Sequence, residues 1–158
     1  MVLDKKRKLG RNIEEISVGE KLSISEKVED KDLLLYLGLS DDANLLYIQH
    51  DYASQTPYKK PIVPSMMLAG MISSAVSKYL PGPGSHILGQ NIQFVKPVYH
   101  YSTIHFLLKV VNVDISNHLI EIDVTAENDS FETVLNGSLT VSPPYRPKGM
   151  NGKALENF

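Results

Sequence analysis

The sequence predicts an α+β domain of two layers, one long buried helix against an antiparallel sheet. Three observations predict it. The longest apolar segment, Pro61 to Leu80, is opened by Pro64 and closed by Pro81-Gly82-Pro83-Gly84. After it the hydrophobic period falls from about 3.6 to two, in four successive stretches. Finally, 158 residues with 42% hydrophobic content suit one domain with a core of its own.

Residues 1–12 are expected to be a flexible arm, 13–143 the domain, and 144–158 an irregular tail rich in Pro, Gly and Lys. From Ile13 to Val28 apolar residues alternate loosely, and Val18-Gly19-Glu20 reads as a turn before a strand. Asp30 is a good N-cap for a helix through Leu33, Leu34, Leu35 and Leu37 that stops near Gly38. A loop and a short helix ending by Pro57 come next.

Pro64 suits the start of the long helix and Pro81 its abrupt end. This helix is apolar or small nearly all round, with Lys78 as its charge, so burial on most faces is expected. Ala69, Gly70, Ser73, Ser74 and Ser77 are small enough to let backbone or a ligand approach closely. Ile87 to Val95, Thr103 to Val113, Leu119 to Glu127 and Glu132 to Val141 then read as strands. Within the third, Ile120, Ile122, Val124 and Ala126 share one face, while Glu121, Asp123, Thr125 and Glu127 share the other. That is an antiparallel sheet with one covered face. Turns are supplied by Asp114-Ile115-Ser116-Asn117-His118 and by Asn128-Asp129-Ser130.

Composition removes several function classes. There is no cysteine, so neither a disulfide framework nor a thiolate metal site is available. The formal net charge of -2 gives no general attraction to nucleic acid or an anionic membrane. Lys5-Lys6-Arg7-Lys8 reads as a solvated terminus rather than a nucleic-acid arm. No stretch approaches the ~20 apolar residues that span a bilayer, and the N-terminus does not read as a secretory signal. A cytoplasmic protein without nucleic-acid or membrane partners is expected. His86, His100, His105 and His118 lack metal-ligand spacing with carboxylates and read as structural or surface residues. No metal or cofactor is expected.

The chemistry concentrates between Ser40 and Ala53, in Asp41-Asp42-Ala43-Asn44-Leu45-Leu46-Tyr47-Ile48-Gln49-His50-Asp51-Tyr52-Ala53. This segment resembles that of the MaoC-like (R)-specific enoyl-CoA hydratases and 3-hydroxyacyl dehydratases. There an Asp, an Asn-Pro pair and a His precede an acidic residue and Tyr-Ala. Asp42, Asn44, Tyr52 and Ala53 match; Leu45 stands for Pro, Tyr47 for the catalytic His and Gln49 for the usual Asp. Two further stretches look like the same family, Phe94-Val95-Lys96-Pro97-Val98 as its Phe-x-x-Pro-Val strand end and Leu80-Pro81-Gly82-Pro83-Gly84 as its turn after the central helix. The resemblance covers roughly Ile16 to Pro143. It implies a hot-dog fold, a curved antiparallel sheet wrapped around a long central helix. It also implies a homodimer, acyl-CoA or acyl-carrier-protein thioesters as ligands, and hydration or dehydration in fatty-acid metabolism.

Hydration of an enoyl thioester needs a base for water, a group that orients the water, and donors for the thioester oxygen. By resemblance Asp42 orients water or a polar ligand group, Asn44 and Gln90 belong to the ligand site, and Tyr47 occupies the place of the base. A phenol titrating near ~10 donates at neutral pH and is a poor base. Tyr47 therefore reads equally as a pocket-wall aromatic. His50 replaces the missing base only on a loop path different from the family's, and otherwise is a surface residue. Ser65 falls on the Gly of the family's His-Gly-Met motif and Pro64 on its His. The Ser65 N–H serves either as an oxyanion donor or in simple capping of the helix. Met66, Met67 and Met71 fit an adaptable acyl pocket or plain core. Two readings follow: a hydratase or dehydratase with an incomplete Asp–His dyad, and a non-catalytic acyl-CoA-binding or structural subunit.

Overall fold

A computed structural model describes residues 9–147. A 3-10 turn at Ile13–Glu15 leads to strand β1 (Lys21–Lys27) and helix α1 (Asp30–Ser40). Two short helices follow, α2 (Leu45–Ile48) and α3 (His50–Ser54), then the long helix α4 (Ser65–Lys78). Strands β2 (His86–Phe94), β3 (Thr103–Asp114), β4 (Leu119–Glu127) and β5 (Thr133–Ser142) complete the domain. The four strands expected after the long helix all form, to within one residue at each end.

All five strands join one antiparallel sheet in the order β1-β3-β4-β5-β2. The meander β3-β4-β5 builds the middle by sequential hairpins. Strand β2, which precedes it in the chain, closes on the far side of β5 and becomes an edge. The inner face presents Ile104, Phe106, Leu108 and Val110 from β3, with Ile120, Ile122, Val124 and Ala126 from β4. These pack with Met67, Leu68, Ile72, Ala75 and Val76 of α4 in one cluster. The alternation read along β4 is thus the burial pattern itself, because a pleated strand sends successive side chains to opposite faces. On the outer face the Ser25 hydroxyl lies 2.7 Å from His105 Nδ1, and His105 Nε2 lies 3.0 Å from Asp129 Oδ1. This exposed row ties β1, β3 and the β4–β5 turn together across the open surface.

Three local expectations are revised. Helix α1 is capped by Glu29 rather than Asp30; the Glu29 N–H donates to Asp32 Oδ2 at 2.9 Å, half of a capping box. It also runs past Gly38 to Ser40, and the left-handed residue that ends it is Asp41 (φ 56°). Asp tolerates that conformation better than most side chains. The expected single short helix is two, split at Gln49, whose extended backbone (ψ 103°) cannot continue a helix.

Residues 1–8 of the expected arm, and 148–158 of the expected tail, lie outside the described residues. Gly10 and Arg11 of that arm donate backbone hydrogen bonds to Pro83 O (2.8 Å) and Pro81 O (2.9 Å). The Arg11 guanidinium pairs with Glu20 and holds its carboxyl below the usual range, mainly through that hydrogen bond. At the other end Tyr145 stacks on His118, whose Nε2 lies 2.8 Å from Pro143 O. Among the described residues no helix is long and apolar enough to cross a membrane.

Candidate active site

Helix α1 ends in a turn that brings Asp42 back over its own last turn. The left-handed residue Asp41 donates its N–H to Leu37 O at 2.9 Å, and the chain reverses there. The Tyr36 hydroxyl then donates to Asp42 Oδ2 at 2.8 Å, while the Asp42 N–H donates to the Ser40 hydroxyl at 3.2 Å. The Ser40 hydroxyl in turn donates to Tyr36 O at 2.7 Å. One carboxylate oxygen is committed to Tyr36, which leaves Oδ1 to meet water or a ligand. Holding its proton beside this carboxylate pushes the Tyr36 phenol above its ordinary range.

Asn44 is the N-cap of α2, its Oδ1 accepting the Leu46 N–H at 2.9 Å. That capping bond starts the turn that carries Tyr47. Tyr47 is half-buried; burial first, and the charge of Asp42 second, push its phenol upward. At neutral pH both phenols keep their protons; Tyr36 donates to the Asp42 carboxylate, and Tyr47 lies within its electrostatic reach. His50 begins α3 and is exposed. Ala53, fully buried, anchors the far end of the segment.

The Ile62 N–H donates to Leu46 O at 3.0 Å, so α2 is tied to the chain just before α4. Pro64 caps α4 with an extended backbone and Ser65 is its first residue. The first N–H groups of a helix have no intrahelical acceptor, and the dipole adds positive potential there. Ser65 borders a cavity of about 200 Å³ with Tyr58, Leu68, Phe94 and Val98. Met66 and Gln90 border a second and larger groove, about 410 Å³, between α4 and β2. The structure thus groups Asp42 with Tyr47, groups Met66 with Gln90, and sets Ser65 at the helix start beside a separate cavity.

The helix is less evenly buried than its composition suggests. Met67, Leu68, Ala69, Ile72, Ala75 and Val76 are inside, while Met66, Gly70 and Ser77 are exposed on the side facing β2. Met67 is therefore core, and Met66, 57% exposed, is groove wall. A methyl group added at Gly70 or Gly89 would touch nothing within 4 Å.

Two residues escaped the sequence reading. Tyr36 lies unremarked within the predicted helix; its cue is its place one turn before the helix end, with Asp42 just past the reversal. His100 read as a structural or surface residue, yet both its ring nitrogens are buried without a hydrogen-bond partner. Among the described residues no group of three or more His, Cys, Asp or Glu side chains could hold a metal ion.

A helix seated on one face of a five-stranded antiparallel sheet, with an Asp-bearing segment before it, defines a hot-dog domain of the hydratase and dehydratase type. Residues 14–133 match the MaoC like domain, and the chain belongs to that family. It is 30% identical over 133 residues to an (R)-specific enoyl-CoA hydratase of Rhodospirillum rubrum, covering 84% of this chain and 92% of that protein. The fold is similar to the (R)-hydratase from A. caviae involved in PHA biosynthesis, with a TM-score of 0.77 and 26% identity, covering 82% of this chain and 98% of that one. It also resembles unliganded R-hydratase PhaJ1 from Pseudomonas aeruginosa, with a TM-score of 0.78 and 24% identity over 90% of this chain and 97% of that one.

Proposed function

We propose that this chain takes acyl-CoA or acyl-carrier-protein thioesters in fatty-acid metabolism, through a hydratase-type site whose Asp–His dyad is reduced to Asp42. The observation that carries this reading is the Asp42 carboxylate held by Tyr36, with Tyr47 within its electrostatic reach; by the family resemblance Tyr47 takes the place of the base. In hydration, the water oxygen bonds to the β-carbon, a base takes the water proton, and the α-carbon gains a proton. Meanwhile the thioester oxygen carries negative charge. Asp42 would orient the water, and the Ser65 N–H with the α4 dipole would stabilise that oxygen. Tyr47 cannot serve as the base while its proton is held so firmly. His50 remains a substitute base if the bound segment turns it inward. The alternative, a non-catalytic acyl-CoA-binding or structural subunit, draws on the same substitution, because binding needs only the helix terminus and the cavities.

Binding tests the ligand class. A short-chain acyl-CoA is expected to raise the melting temperature by mass action. Ser65→Pro removes the proposed donor at a position where proline is tolerated, and should abolish that shift while the fold survives. The absence of any thermal shift with acyl chains from short to long would count against the thioester reading.

The same reading includes a homodimer. The outer edge of β2 is unpaired among the described residues, and its Gly89 and Gln90 flank the open side of α4. A second copy laid along β2 would satisfy this edge and cover the groove. Sedimentation at micromolar concentration should return twice the chain mass; the mass of one chain would refute the dimer.

A further inference from the structure

His100 lies in the connection from β2 to β3, and its neighbours are pinned on both sides. Before it, Tyr99 bridges to Ile62 and its hydroxyl donates to Tyr58 O at 2.7 Å. After it, Tyr101 donates its N–H to Val28 O at 2.7 Å and its hydroxyl to Asp30 Oδ2 at 2.5 Å. The imidazole between them lies within reach of two residues of the Leu45–Ser54 segment, Tyr47 and His50. Backbone groups of Tyr47 and Ile62 lie near it without completing a hydrogen bond, and it shares the space with Asp30 of α1 and His50 of α3.

Among the described residues, its two ring nitrogens are the buried side-chain polar atoms left without a partner. A buried polar group in that state is a penalty that an apolar ring of similar size would avoid. What histidine alone adds is a charge that switches on near neutral pH. We infer that His100 is a positioning residue for the candidate site: as a neutral ring it seats the segment carrying Tyr47 and His50, and once protonated it releases that segment.

The charges around the ring set the direction. Burial lowers the pKa of His100 most, and the neighbouring His50 lowers it further. Asp30 opposes both, as do the Ile62 and Tyr47 backbones. The unfolded or released segment therefore binds the proton more readily than the seated one. Seating is complete above the ordinary histidine range of ~6.5 and weakens as pH falls through it. The functional meaning rests on the thioester reading above, since Tyr47 and His50 matter through that site. The test involves no ligand, so it fails or succeeds independently.

Amide hydrogen exchange of Leu46–Ala53, corrected for intrinsic rates, should be followed from pH 8 to pH 5 together with the His100 ring proton signal. Opening of this segment is expected to rise by up to tenfold per pH unit as pH falls from the ordinary histidine range toward the lowered pKa of the seated ring, and to level off once the ring signal shows it protonated, while β3 and β4 amides stay protected. His100→Phe should lose the pH-dependent step. If that variant does not fold, coincidence of the ring titration with the Tyr47 amide shift in the unaltered chain decides the matter. The inference is overturned if His100→Phe keeps the step, if His50→Ala removes it while His100 still titrates, or if the ring titrates with no change at Tyr47.

Discussion

Hydration of crotonyl-CoA by the unaltered chain near neutral pH is expected to be absent, or at least ~10²-fold slower than by a family member that keeps the His. A positioned base contributes ~10²–10⁴-fold, and this position holds a phenol. Burial and then the Asp42 charge make that phenol still harder to ionise, so raising the pH to about 9 should recover little. Tyr47→His puts an imidazole within the electrostatic reach of Asp42 and should raise the steady-state rate. Adding Asp42→Asn to that variant should remove the gain. Leu45 and Gln49 also depart from the family pattern, so the rescue is expected to be partial. Robust turnover by the unaltered chain that survives Asp42→Asn would overturn the assignment of the site. Turnover lost on His50→Ala would instead assign the base to His50.

Gly137→Ala is expected to be the most damaging small substitution in the sheet. Gly137 sits in β5 opposite Ile92 of β2. A methyl group there would lie 2.2 Å from Asn91 O and 2.8 Å from Ile92 Cα. Both obstacles are backbone, so no side chain can swing aside, and β2 itself must shift. Alanine favours a strand over glycine by up to ~1 kcal/mol in the absence of a clash. The overlap should outweigh this and leave a net loss of about 1–3 kcal/mol. For a domain of this size that lowers the melting midpoint by roughly 3 °C per kcal/mol. Because β2 forms one wall of the groove with Met66, acyl-CoA binding and dimer formation should weaken as well. An unchanged midpoint in a thermal scan would show that β2 is not held against β5 at this spacing.

Much of the secondary structure is local and was therefore legible. Alternation from Leu119 to Glu127 is itself the inside–outside pattern of a pleated strand. Pro64 and the Pro81-Gly82-Pro83-Gly84 turn bound α4 because proline lacks the N–H that an interior helix position needs. The family was legible for another reason: Asp42, Asn44, Tyr52 and Ala53 keep their spacing within a dozen residues. Boundaries were less secure. Asp30 and Glu29 both suit a helix start, and only the hydrogen bond from the Glu29 N–H to Asp32 distinguishes them.

By itself, then, the sequence determined the element types, their order and the segment to which the family resemblance points, since each depends on neighbours within one turn or one strand. Tertiary structure decided that β2 closes beside β5 rather than beside β3, where chain order would put it. Strand pairing depends on which apolar faces can share one core, and no local window contains that choice. It also decided that Tyr36 grips Asp42, that a methyl group cannot be added at Gly137, and that Met66 opens to a groove while Met67 is buried. Above all it brought His100, more than fifty residues from Tyr47 in sequence, close to the Tyr47 backbone and to His50. A lone histidine has no local pattern; its meaning comes from the groups that surround it after folding, and here they leave its nitrogens buried and unpaired.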